Sequence, residues 1–196
     1  MDNPFDNAPL HGLVLAGGQS RRMGVDKGLL LWQGKSLRQW AAERLAMVCH
    51  NVRLSLRHDQ AADGPWPVLH DRYPDSGPMG ALATAFDDAS VDWLILPVDV
   101  PLLRPATLAR LMLARREHQG AELILLRNPG RDRPENLVGI WTREAHSHVY
   151  AALRDGRLAI GELVDDMIVA EVPVQDSWEL LNANDPETWS NAKERE

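Results

Sequence analysis

Cysteine is nearly absent from the sequence: the single thiol of Cys49 excludes an internal disulfide and a cysteine-rich metal site. No apolar run approaches the roughly 20 residues that a transmembrane helix needs. The N-terminus lacks the basic start and apolar core of a secretory signal. We therefore expect a cytoplasmic protein that does not associate with membranes.

Long clusters of basic residues are also missing, and the net charge is −7. Affinity for double-stranded nucleic acid rests on clustered Lys and Arg that neutralise phosphates. Nucleic acid is therefore not an expected partner, and binding of a small anionic ligand would require a local concentration of cations.

Three common catalytic signatures are absent or incomplete. A Gly-x-Ser-x-Gly elbow does not occur, and His146 and His148 have no third ligand nearby for zinc. Residues 34–36 read Gly-Lys-Ser like the end of a P-loop, but Leu29 stands where that motif requires glycine. We therefore predict a hairpin turn at this position.

The fold class follows from the alternation of short apolar runs with amphipathic segments. The 196 residues are 44% hydrophobic and 25% charged, which fits one globular domain. The alternation predicts an α/β fold with a mainly parallel sheet and helices on both faces. We assign residues 1–10 to a loose leader and residues 11–196 to the domain. Strands are predicted at residues 11–16, 51–56, 68–70, 91–97, 121–127, 137–141 and 168–172, and helices at 37–49, 79–88, 105–117, 142–153, 160–164 and from 186 onward.

The most informative stretch is residues 13–27. Its apolar strand ends at the two glycines Gly17 and Gly18, and the three cations Arg21, Arg22 and Lys27 follow. Glycine lets the backbone approach a ligand closely, so that successive N–H groups can point at one anion. The pattern predicts a cradle for more than one phosphate; a glycine turn with solvated basic residues is the structural alternative.

In open α/β sheets, ligands bind beyond the carboxyl ends of the strands. Three loops should meet there, at residues 17–27, 71–78 and 98–101. Asp99 could cap the next helix, or it could bind Mg²⁺, which takes one or two carboxylates together with phosphate oxygens. Asp71 could form a turn, or its two oxygens could accept the N1–H and N2–H₂ donors of guanine.

A phosphate cradle and a metal carboxylate without an obvious nucleophile suit the transfer of a nucleotidyl group. An attacking phosphate monoester is already ionised at neutral pH, so no strong general base is required. Catalysis then consists of positioning and of charge stabilisation on the developing pyrophosphate.

Residues 15–27 closely resemble the signature of the molybdenum cofactor guanylyltransferases, which belong to the nucleotidyltransferases with a Rossmann-like catalytic domain. Further matches are Asp71 with residues 77–81, residues 96–101, and the Asn-Ala-Asn-Asp-Pro segment at 182–186. The resemblance extends over almost the whole chain. It implies a single Rossmann-like domain that transfers GMP from GTP to molybdopterin, with Mg²⁺, and releases pyrophosphate.

The resemblance also implies roles for individual residues. GTP and molybdopterin would be the ligands, and transient docking with carrier or insertase proteins of the molybdenum cofactor is left open. The implied catalytic residues are Arg22, Lys27 and Asp99, with Asp99 as the metal ligand. The implied binding residues are Leu15, Ala16, Gly17, Gly18, Lys27, Ser55, Asp71, Gly77, Asp99, Arg157, Asn182 and Asn184, of which the last three would lie toward the pterin.

The Ala-Gly-Gly of residues 16–18 and the Asp-Val-Pro of residues 99–101 resemble the guanylyl branch, since cytidylyl relatives typically show Ala-Ala-Gly and Asp-Gln-Pro. Glu135 and Leu158 depart from the family's pattern on the acceptor side. A cytidylyltransferase, a sugar-phosphate nucleotidyltransferase and a catalytically weak nucleotide-binding module remain as alternatives.

Overall fold

The computed structural model describes residues 9–18 and 26–195. Arg21 and Arg22 of the predicted phosphate cradle lie outside the described residues, and so do residues 1–8 of the predicted leader.

A seven-stranded sheet forms the centre of the protein, in the order β5-β4-β1-β6-β8-β7-β9. The pairs β5–β4, β4–β1, β1–β6 and β7–β9 are parallel, and β8 runs antiparallel to both of its neighbours. A separate hairpin pairs β2 with β3. The strands are β1 (Leu10–Leu15), β2 (Leu31–Trp32), β3 (Lys35–Ser36), β4 (Asn51–Leu56), β5 (Val68–His70), β6 (Asp92–Pro97), β7 (Leu123–Arg127), β8 (Gly139–Trp141) and β9 (Val169–Pro173).

Helices cover both faces of this sheet, because alternate strand residues bury apolar side chains on opposite sides. Leu13 packs into one core with α2, α4 and α5, whereas the next residue, Val14, packs into the other with α1, α3 and α6. The helices are α1 (Leu37–Ala46), α2 (Gly77–Asp88), α3 (Pro105–Glu117), α4 (His146–Arg154), α5 (Ile160–Asp165) and α6 (Pro186–Lys193). The predicted fold class is confirmed.

Local signals in the sequence explain several boundaries. Ser36 caps α1, since its Oγ accepts the N–H of Gln39 at 3.1 Å. Residues 34–36 belong to the β2–β3 hairpin as predicted, and positive φ angles at Gln33 and Gly34 match the turn that joins two-residue hairpins.

Other boundaries differ from the prediction. β1 begins at Leu10, one residue early, because that side chain is buried in the core. α1 ends at Ala46 rather than near residue 49. Thr142 does not cap a helix with its side chain; its hydroxyl donates to the carbonyl of Glu122, and a short 3₁₀ turn precedes α4. Within the described ranges, none of the helices has the length and apolar character needed to cross a bilayer.

Candidate active site

A cavity of about 880 Å³ opens at the carboxyl ends of the parallel strands, within the usual size range of ligand pockets. The loops after β1, β4, β5 and β6 contribute to its lining, and the described residues of the three loops predicted to converge meet there. Ten of the predicted site residues line it: Leu15, Ala16, Gly17, Gly18, Lys27, Ser55, Asp71, Gly77, Asp99 and Asn184.

The glycine loop, residues 16–18 of the described chain, accepts hydrogen bonds from residues that follow β4. The Nη1 of Arg57 donates to the carbonyls of Gly17 and Gly18 at 2.8 and 2.9 Å. The Nε2 of Gln60 donates to the carbonyl of Ala16 at 3.1 Å. Ser55 contributes its carbonyl, which accepts the N–H of Ala16 at 3.1 Å, while its side chain is buried.

Lys27 is positioned by the residue before it. The Oδ1 of Asp26 accepts the N–H of Gly28 at 3.0 Å and so starts a 3₁₀ turn that carries Lys27. The Nζ of Lys27 donates to the Oδ1 of Asn184, which joins the C-terminal segment to the glycine loop. Asn184 therefore lies at the same cavity as Lys27.

Arg38 supports this turn from inside the protein. Its guanidinium is fully buried, and it pairs with Asp26 and, at 3.4 Å, with Asp63. It also donates to the carbonyl of Ala61 at 2.9 Å. Gly28 lies directly on the Arg38 side chain, and a Cβ at this position would collide with it.

Asp99 combines burial with an unmet hydrogen-bonding capacity. Its Oδ1 is buried and has no hydrogen-bond partner among the described residues. Burial raises the pKa of the Asp99 carboxyl, whereas the charge of Lys27 and a hydrogen bond from Asn182 act in the opposite direction. The N–H of Ala183 donates to the Asp99 carbonyl at 2.8 Å. A buried acceptor without a donor is costly unless a cation or another ligand meets it.

These properties fit a magnesium ligand. Mg²⁺ prefers oxygen ligands and commonly takes one or two carboxylates with phosphate oxygens. Across residues 9–18 and 26–195, no group of three or more His, Cys, Asp or Glu side chains could hold a metal. A metal at Asp99 would therefore complete its coordination with oxygens from other sources, such as water and a bound phosphate.

Asp71 has a structural role and also faces the cavity. Its Oδ1 accepts the N–H of Tyr73 at 2.8 Å and the hydroxyl of Thr84 at 3.4 Å. The turn interpretation of Asp71 therefore fits its hydrogen bonds, while its place in the cavity lining leaves it within reach of a ligand.

Two predicted binding residues do not line the cavity. Asn182 contacts a residue of the lining instead, since it forms a hydrogen bond with Asp99. Arg157 lies on the surface, where it pairs with Asp166 at 3.3 Å. The departing residue Glu135 pairs with Arg131 at 3.1 Å. The catalytic prediction for Arg22 falls on a position outside the described residues.

Sequence reasoning missed Arg57, His58 and Gln60. Arg57 and His58 line the cavity, and Gln60 lies buried beneath it. Their position in the sequence could have identified them. They directly follow β4, a parallel strand beside β1, and the rule that places ligands at strand carboxyl ends applies to that loop as well.

Comparisons with known proteins agree with this geometry. Residues 12–167 match the MobA-like NTP transferase domain. The molybdenum cofactor guanylyltransferase of Xanthomonas euvesicatoria is 35% identical over 188 residues, which cover 93% of each chain. The molybdenum cofactor biosynthesis bifunctional protein of Synechocystis is 37% identical over 138 residues, which cover 68% of this chain but only 39% of that protein.

A solved structure shares the fold. The molybdopterin-guanine dinucleotide biosynthesis protein A of Archaeoglobus fulgidus superposes with a TM-score of 0.79 at 21% identity, covering 94% of this chain and 97% of that one. The strand order, the site at the strand ends and the matched domain lead to one conclusion. The chain belongs to the MobA-like NTP transferase domain family, and it is a nucleotidyltransferase.

Proposed function

We propose that this nucleotidyltransferase transfers GMP from GTP to the terminal phosphate of molybdopterin, in the cytoplasm, and forms the guanine dinucleotide cofactor and pyrophosphate. The observation that carries the proposal is the buried Oδ1 of Asp99, which has no hydrogen-bond partner in residues 9–18 and 26–195 and lies in the same cavity as Lys27 and the glycine loop. A carboxylate placed with a lysine and backbone donors suits a metal-bound triphosphate.

The donor side of the reaction follows from these residues. The backbone at residues 15–18 and the ammonium of Lys27 would hold the triphosphate. Asp99 would bind Mg²⁺, which would neutralise charge on the departing pyrophosphate. Asp71 would accept hydrogen bonds from guanine, and the cavity provides the space for the nucleoside.

The transfer needs no general base, because the acceptor phosphate is already ionised. One of its oxygens would attack the α-phosphorus of GTP, and the bond between that phosphorus and the oxygen bridging to the β-phosphate would break. Pyrophosphate leaves with the electron pair. Lys27 would meet the charge that develops on the leaving group, which is the main demand in phosphoryl transfer chemistry.

The acceptor would approach from the C-terminal segment. Asn184 is already held by Lys27, so a ligand bound near Asn184 would lie next to the triphosphate. Asn182 would act through Asp99, and Arg157 would meet the pterin phosphate from the surface. Support for this half of the proposal comes mainly from the family resemblance at residues 182–186 and from relatives named as guanylyltransferases.

Pyrophosphate release measured with each of the four nucleoside triphosphates, with and without molybdopterin, tests the proposal. We expect release with GTP and Mg²⁺ only when molybdopterin is present. Release with CTP alone would indicate a cytidylyltransferase. GTP binding without release under any acceptor condition would indicate a nucleotide-binding module, and both results would overturn the proposal.

A further inference from the structure

Three consecutive carbonyl groups of the glycine loop have side-chain donors from one short segment. Gln60 donates to Ala16, and Arg57 donates to both Gly17 and Gly18. The family resemblance gave no role to either side chain. Their donors contact the loop backbone, and the loop lines the cavity.

This arrangement fixes the direction of the amide groups. In a planar trans peptide, the C=O and the following N–H point in opposite directions. When Gln60 takes the carbonyl of Ala16, the N–H of Gly17 turns away from it, and Arg57 does the same for the N–H of Gly18. Within the described part of the chain, no backbone carbonyl accepts either N–H. Both are thereby oriented as donors before a ligand arrives.

The guanidinium of Arg57 is itself held in place. Its Nε donates to Oδ1 of Asp59 at 2.9 Å, and its Nη2 to Oδ2 of the same carboxylate at 3.4 Å. The N–H of Arg57 donates to the Oε1 of Gln60 at 2.9 Å, which joins the two side chains that act on the loop. Most of the five guanidinium donors are therefore spent within the protein.

Gln60 also connects the two ends of the loop. Its Nε2 donates to the carbonyl of Ala16, at the start of the loop, and to the Oδ2 of Asp26, beyond its end, at 2.8 Å. Gln60 is buried, so that solvent competes little for these bonds. The side-chain amide of Gln60 thus fixes the position of the turn that carries Lys27 relative to the two glycines.

We infer that residues 57–60 position the phosphate-binding loop, with Arg57 acting through the Gly17 and Gly18 peptides rather than as a direct phosphate ligand. The inference deepens the proposed function and rests on it for the identity of the nucleotide. Arg57 is accordingly a positioning residue, and its loss should affect GTP in preference to the acceptor.

The test compares Arg57→Met and Arg57→Lys with Arg53→Met, a matched control. Arg53 lies on β4, four residues before Arg57, but it pairs with Asp88 at 3.3 Å and does not line the cavity. GTP affinity is measured by calorimetry with Mg²⁺ and without acceptor, and kcat and both KM values are measured in turnover. We expect Arg57→Met to weaken GTP binding and to lower kcat by about tenfold each, with the acceptor KM unchanged, because the backbone donors stay in place and lose only part of their roughly hundredfold contribution when their orientation is relaxed.

Arg57→Lys separates positioning from charge. An ammonium keeps the charge but cannot span both carbonyls and Asp59 in one planar fork. We expect this variant to resemble Arg57→Met and the Arg53→Met control to behave as wild type. Full retention of GTP affinity and turnover in Arg57→Lys, or wild-type behaviour of Arg57→Met, would overturn the inference.

Asp59→Asn keeps the test decisive if the Arg57 variants fold poorly. Asp59 is exposed, so its replacement should leave the fold intact, and we expect a threefold to fivefold rise in the GTP KM. An unchanged KM would count against the inference. The ¹⁵N shifts of Gly17 and Gly18 in the nucleotide-free protein report on the loop without any substrate. They should move in both Arg57 variants even if GTP proves not to be the donor, which separates failure of the inference from failure of the proposed function.

Discussion

Two regions of the molecule differ in how deeply their charged and polar side chains are buried. The donor region, residues 15–18, 26–28, 57–60 and 99, is built on buried groups such as Arg38 and Gln60 that hold the backbone in place. The region around the departing residues Glu135 and Leu158, residues 131–136 and 154–158, lies on the expected acceptor side and carries exposed arginines that pair with nearby carboxylates. Removing one partner of a buried pair strongly destabilises a protein, whereas isolated exposed pairs contribute little to stability. In the described residues, the backbone at Ala16 and the turn at residues 26–28 are bonded to buried side chains, whereas the arginines of residues 131–136 and 154–158 are exposed.

Asp99→Asn should give the largest difference between the two regions. Removing the carboxylate should lower turnover by about 1,000-fold, because metal-assisted charge stabilisation is lost. The free energy of unfolding should not fall, since the Asp99 carboxylate is buried and its Oδ1 has no hydrogen-bond donor among the described residues. Turnover and chemical denaturation measure the two effects, and near-wild-type activity would contradict the metal assignment.

The pH dependence of stability gives an independent view of Asp99. Burial raises its pKa, so the folded protein binds a proton more tightly than the unfolded chain does. Stability should then decrease as the pH rises from the ordinary carboxyl pKa through the raised one. We expect wild type to lose stability relative to Asp99→Asn across this window in metal-free buffer. Parallel stability curves for the two proteins would contradict the raised pKa.

Arg38→Met should have the next largest effect. It leaves the carboxylates of Asp26 and Asp63 without their buried partner, which should cost about 3 kcal/mol of unfolding free energy. The turn that carries Lys27 should loosen as well, so that GTP affinity falls. Urea denaturation measures the stability, and a loss below about 1 kcal/mol would show that the buried pair does not support the donor region.

Arg157→Met should act more weakly and on the other substrate. A phosphate contact from an exposed arginine contributes modestly, so the acceptor KM should rise about fivefold while the GTP KM stays constant. Steady-state kinetics with each substrate varied in turn give both constants. A change in the GTP KM alone would place Arg157 with the donor region and would remove the distinction between the two regions.

Arg133→Met should have the smallest effect and is the matched control for Arg38→Met. Arg133 pairs with Asp165 at 3.1 Å, and both side chains are more than half exposed. Its removal should change the unfolding free energy by less than about 0.5 kcal/mol, as for most surface pairs. A cost similar to that of Arg38→Met would show that exposure does not separate the two regions.

The sequence was sufficient for the fold because strand and helix patterns are local. The alternation of apolar runs predicted the sheet and its faces, and Ser36 marked the start of α1 as a side-chain cap. Boundaries that depend on tertiary packing were missed. Leu10 joins β1 because the core buries it, and Thr142 donates to a carbonyl 20 residues away instead of capping a helix.

The sequence predicted the site residues that lie at the carboxyl ends of strands, but it did not predict the side chains that hold the loops of the site in place. The rule for strand ends brought Gly17, Asp71 and Asp99 to one cavity. Arg57 and Gln60 act on carbonyls more than 38 residues away in sequence, and no local pattern records such contacts. Arg38 likewise stands in a helix sequence that reveals neither its burial nor its pairing with Asp26.

Transfer of the label from GTP carrying a labelled α-phosphate tests the central claim most directly. Incubation with Mg²⁺ and molybdopterin should move the label into the dinucleotide cofactor, with one pyrophosphate released for each labelled product. Asp99→Asn should transfer no label above background. Label that ends in free GMP, or transfer that occurs from CTP and not from GTP, would contradict guanylyl transfer to molybdopterin.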